Sequence, residues 1–157
     1  MSDFWYTSPD DGKTHINVYS KAKTYLGRLL SNWADTPFEC EDGRFRSIEG
    51  YWYWLGSKDD RLRDVWGFPA KRLGREVGAS DWIDTEEFKG KIKRAIRAKI
   101  NQHKEIRKLL EESTLPLVHY YDYKGKIVRV PQGDWIMEEL ELIRQELKHG
   151  LHATTKP

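Results

Sequence analysis

Glu49 is the carboxylate in this chain best placed to do chemistry. It lies two residues after Ser47, a good helix N-cap, and just before the aromatic run Tyr51-Trp52-Tyr53-Trp54. A carboxyl group set among rings loses water. Its pKa then rises, which suits it to passing a proton at a glycosidic bond. A purely structural reason serves the same position equally well, because the helix macrodipole favours Glu in a first turn. Spacing leaves these two readings level. Trp52 and Trp54 read first as core material and only second as ligand platforms.

Basic residues crowd one later segment, with Lys89, Lys91, Lys93, Arg94, Arg97, Lys99, Lys104, Arg107 and Lys108 against few acids. At helical spacing Lys93, Arg97, Lys104 and Lys108 share a face. A solvated helix face is the first explanation, and a stripe facing phosphates is the second. The net charge is only +2, so the overall field does not by itself indicate a nucleic-acid partner.

Several chemistries are absent. The sequence has no Gly-x-Gly-x-x-Gly, Walker loop, His-Glu-x-x-His or Gly-x-Ser-x-Gly. The five His show no metal-ligand spacing, and His103 reads as a packing or surface residue. One Cys, Cys40, excludes an internal disulfide and a cysteine-based zinc cage. No metal and no cofactor is expected. The N-terminus lacks a basic and apolar leader, and no apolar run approaches the roughly 18 residues that span a bilayer. The expectation is a cytoplasmic protein without a membrane partner.

The elements that must position Glu49 follow from local signals. A length of 157 residues is that of one ordinary domain. Residues 8–14 read as a loop, 15–19 as a short strand, and 20–33 as loop with room for one helical turn. Residues 37–45 read as a hairpin turning at Asp42-Gly43. After Ser47, residues Ile48, Tyr51, Trp52 and Leu55 follow at helical spacing. A short helix covers 69–77 and stops at Gly78. A long one starts at Asp84-Thr85-Glu86-Glu87, which resembles a capping box, and runs to about residue 112. A second hairpin covers 116–130 with its turn at Lys124-Gly125. A last amphipathic helix spans 134–149, with Ile136, Leu140, Ile143 and Leu147 inward. Short hairpins with several helices make the class α+β, mostly helical.

A series of short segments in fixed order carries a family resemblance. It runs through Val18-Tyr19-Ser20, Leu30-Ser31-Asn32-Trp33, Pro37-Phe38, Asp42-Gly43 and Ser47-x-Glu49-x-Tyr51. It continues with Ala70-x-x-Leu73-Gly74-Arg75, Asp81-Trp82, and Ala95-Ile96-Arg97-Ala98-Lys99-Ile100-x-Gln102-His103. Leu109-Leu110 and Thr114 close it. Together these segments resemble the NADAR family, named for its association with NAD and ADP-ribose metabolism.

The resemblance covers roughly residues 16–147. It implies an N-terminal segment at 1–15, a single NADAR-like domain at 16–149 and a flexible tail at 150–157. The activities it implies are N-glycosidic cleavages, of ribosylamino intermediates of riboflavin synthesis or of ADP-ribosylated guanine in nucleic acid or nucleotide. In this chain Glu49 then becomes the acid/base carboxylate. Asn32, Trp33, Tyr51, Arg75, Trp82 and Asp134 become substrate-binding residues, with Arg75 a phosphate contact. The implied partner is an ADP-ribosyl nucleotide or an ADP-ribosylated nucleic acid. A part in defence or counter-defence through ADP-ribosyl chemistry goes with it.

The chain also departs from the family pattern. Family members usually carry a Lys seven residues after the helix Glu as covalent nucleophile, and here that position is Gly56. Lys58, two residues on, is the candidate replacement. His119 follows the strand near Val118 where the pattern has an acid, and the Trp-Gly loop beyond it is shortened or absent. Asp134 opens the last helix in place of Asn. Two functions follow: an N-glycosidase using Glu49 and Lys58, or a non-catalytic protein that sequesters an ADP-ribose-derived nucleotide.

Overall fold

The computed structural model describes residues 6–78, 85–130 and 133–150. In chain order the strands are β1 (Ile16–Asn17), β2 (Phe38–Cys40), β3 (Gly43–Phe45), β4 (Leu117–Val118), β5 (Tyr120–Tyr123) and β6 (Lys126–Arg129). The helices are α1 (Tyr25–Leu30), α2 (Ile48–Ser57), α3 (Gly67–Val77), α4 (Glu86–Gln102), α5 (Lys104–Glu112) and α6 (Gly133–Lys148), with a short 3-10 helix at Asp60–Asp64. The class is α+β, as expected. No helix among the described residues is long and apolar enough to cross a membrane. Two compact units divide the chain: Asn32–His103, and the segments flanking it.

In the Asn32–His103 unit, β2 and β3 form the expected hairpin, with Cys40 opposite Gly43. Gly43 takes φ +102°, a conformation that favours glycine. The two loop residues are Glu41 and Asp42, one position earlier than the expected Asp42-Gly43, because Gly43 itself pairs with Cys40 as the first residue of β3. Ser47 caps α2 by accepting from the Gly50 N–H at 3.0 Å, and Ile48, Tyr51, Trp54 and Leu55 turn inward from it. Their partners in the core include Phe38, Phe45, Leu62, Phe88 and Ile92. Helix α3 begins two residues earlier than its expected start. Pro69 therefore sits in the first turn, where its missing N–H leaves no hydrogen bond unmade.

Gly50 lets α2 approach the 3-10 helix closely, since a Cβ there would lie 2.3 Å from the Leu62 carbonyl oxygen. Gly50→Ala is expected to cost about 3 kcal/mol through forced backbone movement, against about 1 kcal/mol returned by helix propensity. Gly90→Ala is the control, because its nearest obstacle is the far end of the exposed Arg94 side chain at 3.3 Å and no backbone atom. Urea midpoints should drop for the first and hold or rise for the second. Equal midpoints would refute the close approach.

The long helix expected from residue 84 to residue 112 is two helices. His103 leaves helical geometry at φ −122°, ψ 98°, and its Nε2 hydrogen-bonds the Pro37 carbonyl at 2.7 Å. Gln102 completes the stop by exchanging two hydrogen bonds of 2.8 Å with the Glu39 backbone. Tertiary hydrogen bonds here outweigh continuous apolar periodicity. Of the four cations expected on one helix, Lys93 and Arg97 lie on α4 and Lys104 and Lys108 on α5. Nearby, Lys91 and Arg94 are taken up by Glu41, whose carboxyl they hold down at about pH 2.

In the flanking unit, β1 pairs in parallel with β4, and β5 pairs antiparallel with β6 through the turn Lys124-Gly125, both at positive φ. The expected strand from 116 to 123 is therefore split at His119. The Asn17 side chain causes the split: its Oδ1 accepts from the Tyr120 N–H at 3.1 Å and its Nδ2 donates to the Tyr120 carbonyl at 3.0 Å. A side chain takes over where the parallel ladder would continue. His119 Nδ1 hydrogen-bonds the Val18 carbonyl at 2.7 Å across the gap. Helix α1 occupies the segment expected to be mostly loop, capped by Thr24. In α6 the apolar face runs as expected, and Arg144 reaches Ser113 and the Leu115 carbonyl.

Candidate functional site

Glu49 stands in the first turn of α2, and the chain just before the hairpin is fastened to it. The Glu49 N–H donates to the Asn32 carbonyl at 2.9 Å, satisfying one of the unpaired donors at the helix start. Trp33 then donates a side-chain hydrogen bond to the Glu49 carboxylate. The Trp33 carbonyl accepts from the Gly67 N–H at 2.9 Å, which fixes where α3 begins. One short segment thus ties the N-termini of two helices together.

Helix α3 brings charge. Lys71 and Arg75, one turn apart, both act on Glu49 in favour of its ionised form. Tyr53, one turn along α2 from Glu49, lies over Gly74 of α3. A Cβ on Gly74 would sit 2.2 Å from the Tyr53 ring, so only glycine admits it. Burial raises the Tyr53 pKa, then the Glu49 charge raises it further, while Arg75 opposes them.

Glu49 is 8% exposed. Burial pushes its pKa from 4.5 up to about 7, against the opposing pull of Lys71, the Trp33 hydrogen bond and Arg75. Loss of solvation outweighs two cations and a hydrogen bond. At neutral pH both protonation states are populated, which is the condition for giving and taking a proton.

The other expected site residues are placed as follows. Asn32 adjoins Glu49 through its backbone. Tyr51 is 0% exposed, its ring packed on Phe38, Phe45 and Trp54 and its hydroxyl donating to Asp42 at 2.6 Å. It belongs to the core under the site and offers no surface to a ligand. Asp134 lies in the flanking unit, in the first turn of α6, paired with Arg129 at 3.3 Å. Trp82 falls outside the described residues.

Lys58 is at the far end of α2. Nine residues separate it from Glu49, about 13 Å along a helix axis. It takes the left-handed C-cap conformation, donates its ammonium to the Leu55 carbonyl at 2.8 Å and lies 4.9 Å over the Trp54 ring. The α2 face that carries Glu49 continues through Tyr53 to Gly56, which adds no side chain.

Lys71, Tyr53 and Phe68 were not singled out from sequence. One signal was available. Like charges at i and i+4, as in Lys71 and Arg75, destabilise a helix unless an anion faces them. Among the described residues, no group of three His, Cys, Asp or Glu is placed to hold a metal ion.

No protein-family model matches this chain, and no curated protein sequence does. A solved structure does match: the NMR structure of the E. coli protein YbiA, at TM-score 0.64 and 21% identity, over 97% of this chain and 92% of that one. YbiA is a NADAR-family protein. The fold here is NADAR-like. At that identity the likeness concerns the fold alone. In this chain a buried acid, Glu49, stands at the start of α2, and Gly56 lies two turns further along the same face.

Proposed function

We propose that the Glu49 site is an N-glycosidase centre acting on an ADP-ribosylated base or a related ribosyl nucleotide. The observation that carries this reading is a carboxyl group poised near pH 7, buried under Trp33 and faced by Lys71 and Arg75. Protonated Glu49 gives its proton to the leaving base as the bond to the sugar lengthens. The carboxylate that remains stabilises the positive charge on the sugar and takes a proton from the incoming water. Lys71 and Arg75 hold the phosphates.

A covalent route through Lys58 was the expectation from the resemblance. The position of Lys58 at the far end of α2, bonded to Leu55, supports a capping role instead. The same position favours the second reading, a protein that sequesters an ADP-ribosyl nucleotide without cleaving it.

Incubation with ADP-ribosylated guanosine should release free ADP-ribose and guanosine, detected by mass spectrometry. Lys58→Ala should lower the melting temperature and leave the release rate unchanged. A folded Lys58→Ala variant that binds but no longer cleaves would restore Lys58 as nucleophile. Tight binding without release moves the answer to sequestration, and no binding at all removes both readings.

A further inference from the structure

Among the described residues of the Asn32–His103 unit, two large apolar side chains stand exposed, Trp66 at 43% and Phe68 at 54%. They flank Gly67 at the start of α3, beside the segment that holds Glu49. One face of Trp66 is occupied, because the Arg46 guanidinium lies 4.4 Å over its ring. Phe68 is different. It leans on Trp33, with ring centroids 6.3 Å apart at 52°, and more than half of it remains open.

Phe68 is nevertheless held in place. The residue before it takes φ +65° and donates to the Trp33 carbonyl, and Trp33 is itself anchored on Glu49. An exposed aromatic ring on a fixed backbone presents a flat apolar face with little ordering left to lose on binding.

Helical geometry gives that face a direction. Lys71 and Arg75 follow Phe68 by three and seven residues, within about 60° of its side of α3, and about 4 and 10 Å further along the axis. An aromatic face, then two cations in line, with Glu49 beside them, matches the layout of a nucleotide. A nucleotide laid along this line would set its base on the ring, its sugar at the acid and its phosphates at the cations.

We propose that Phe68, backed by Trp33, is the stacking face for the planar base joined to the sugar that Glu49 addresses, so that the preferred ligand is a 5′-phosphorylated nucleoside. The proposal rests on the reading of Glu49 as a sugar-facing acid. It adds a residue that selects an aromatic leaving base over an aliphatic amine. Stacking on an aromatic side chain is worth about a ten- to hundredfold change in affinity per base.

Titration calorimetry of the whole chain with guanosine monophosphate, ribose 5-phosphate and guanosine provides the test. Phe68→Ala should weaken guanosine monophosphate about ten- to a hundredfold and leave ribose 5-phosphate unchanged, and Phe68→Tyr should restore the loss. Lys71→Ala should weaken both phosphorylated probes and spare guanosine. Phe68 is exposed, so its replacement leaves the core intact. Equal weakening of both phosphorylated probes by Phe68→Ala, no effect on either, or no binding of guanosine monphosphate by the unaltered protein overturns the stacking face. Cleavage of ADP-ribosylated guanosine is assayed separately. Phe68-dependent binding without cleavage keeps the stacking face and removes the glycosidase. Cleavage with an unchanged KM in Phe68→Ala does the reverse.

Discussion

Replacing Glu49 with Gln should abolish release of ADP-ribose from ADP-ribosylated guanosine and, at the same time, make the protein harder to unfold above neutral pH. The two effects share one cause. Burial raises the folded-state pKa of Glu49 from 4.5 to about 7, so the fold favours the protonated form. Stability from this group is complete below pH 4.5, falls as pH rises from 4.5 to 7, and stays at its reduced level above. The cost of the buried charge at pH 8 is about 3 kcal/mol, and at pH 5 under about 1 kcal/mol. Gln keeps the shape and an oxygen for the Trp33 hydrogen bond, but it never ionises.

Urea unfolding of Glu49→Gln against the unaltered protein should therefore show a gain at pH 8 that shrinks by pH 5. Turnover should fall by about 10²–10⁴, the usual contribution of a positioned acid or base. Retention of turnover within a few-fold would show that the proton comes from elsewhere. A stability difference independent of pH would mean that Glu49 is not buried as described.

Lys99→Met should raise stability at neutral pH by a comparable amount, with the opposite pH window. Lys99 is 2% exposed on the inward face of α4, and burial lowers its pKa from 10.5 to about 7. The fold favours the neutral amine. Stability from Lys99 is complete above pH 10.5 and is lost as pH falls from 10.5 to 7. Charging costs roughly 4 kcal/mol by that interval. Lys99 has interactions inside the fold that Met forgoes, so a net gain of about 2 kcal/mol at pH 7 is expected. Thermal unfolding of the unaltered protein should strengthen between pH 7 and 9.5, and that of the variant should not. Parallel curves would refute the buried amine. Acting together, Glu49 and Lys99 place a minimum in their joint contribution near pH 7.

Much of this molecule was legible as local chemistry. Ser47 as an N-cap, Gly78 as a helix stop, the β2–β3 hairpin to within one residue of its turn, the turn at Lys124-Gly125, and the apolar face of α6 all depend on residues a few positions apart. Such signals act within one turn or one hairpin and survive whatever packs around them. The α+β class followed from them, and so did Glu49 in the first turn of a helix among aromatics.

The tertiary structure decided what depends on residues distant in sequence. His103 interrupts an unbroken apolar period because Pro37 and Glu39 offer it and Gln102 hydrogen bonds from another element. Asn17 divides a strand more than a hundred residues later. Tyr51 and Tyr53 lie about 200° apart around α2, so helix geometry already turns them to different sides; the packing decides that one side meets the core and the other meets Gly74 of α3. Lys71 met Glu49 for the same reason. Glu49 itself was a capped helix acid on sequence grounds alone. Its pKa near 7 exists because Trp33 and α3 close over it and remove water, and desolvation is a property of the assembled unit rather than of any segment.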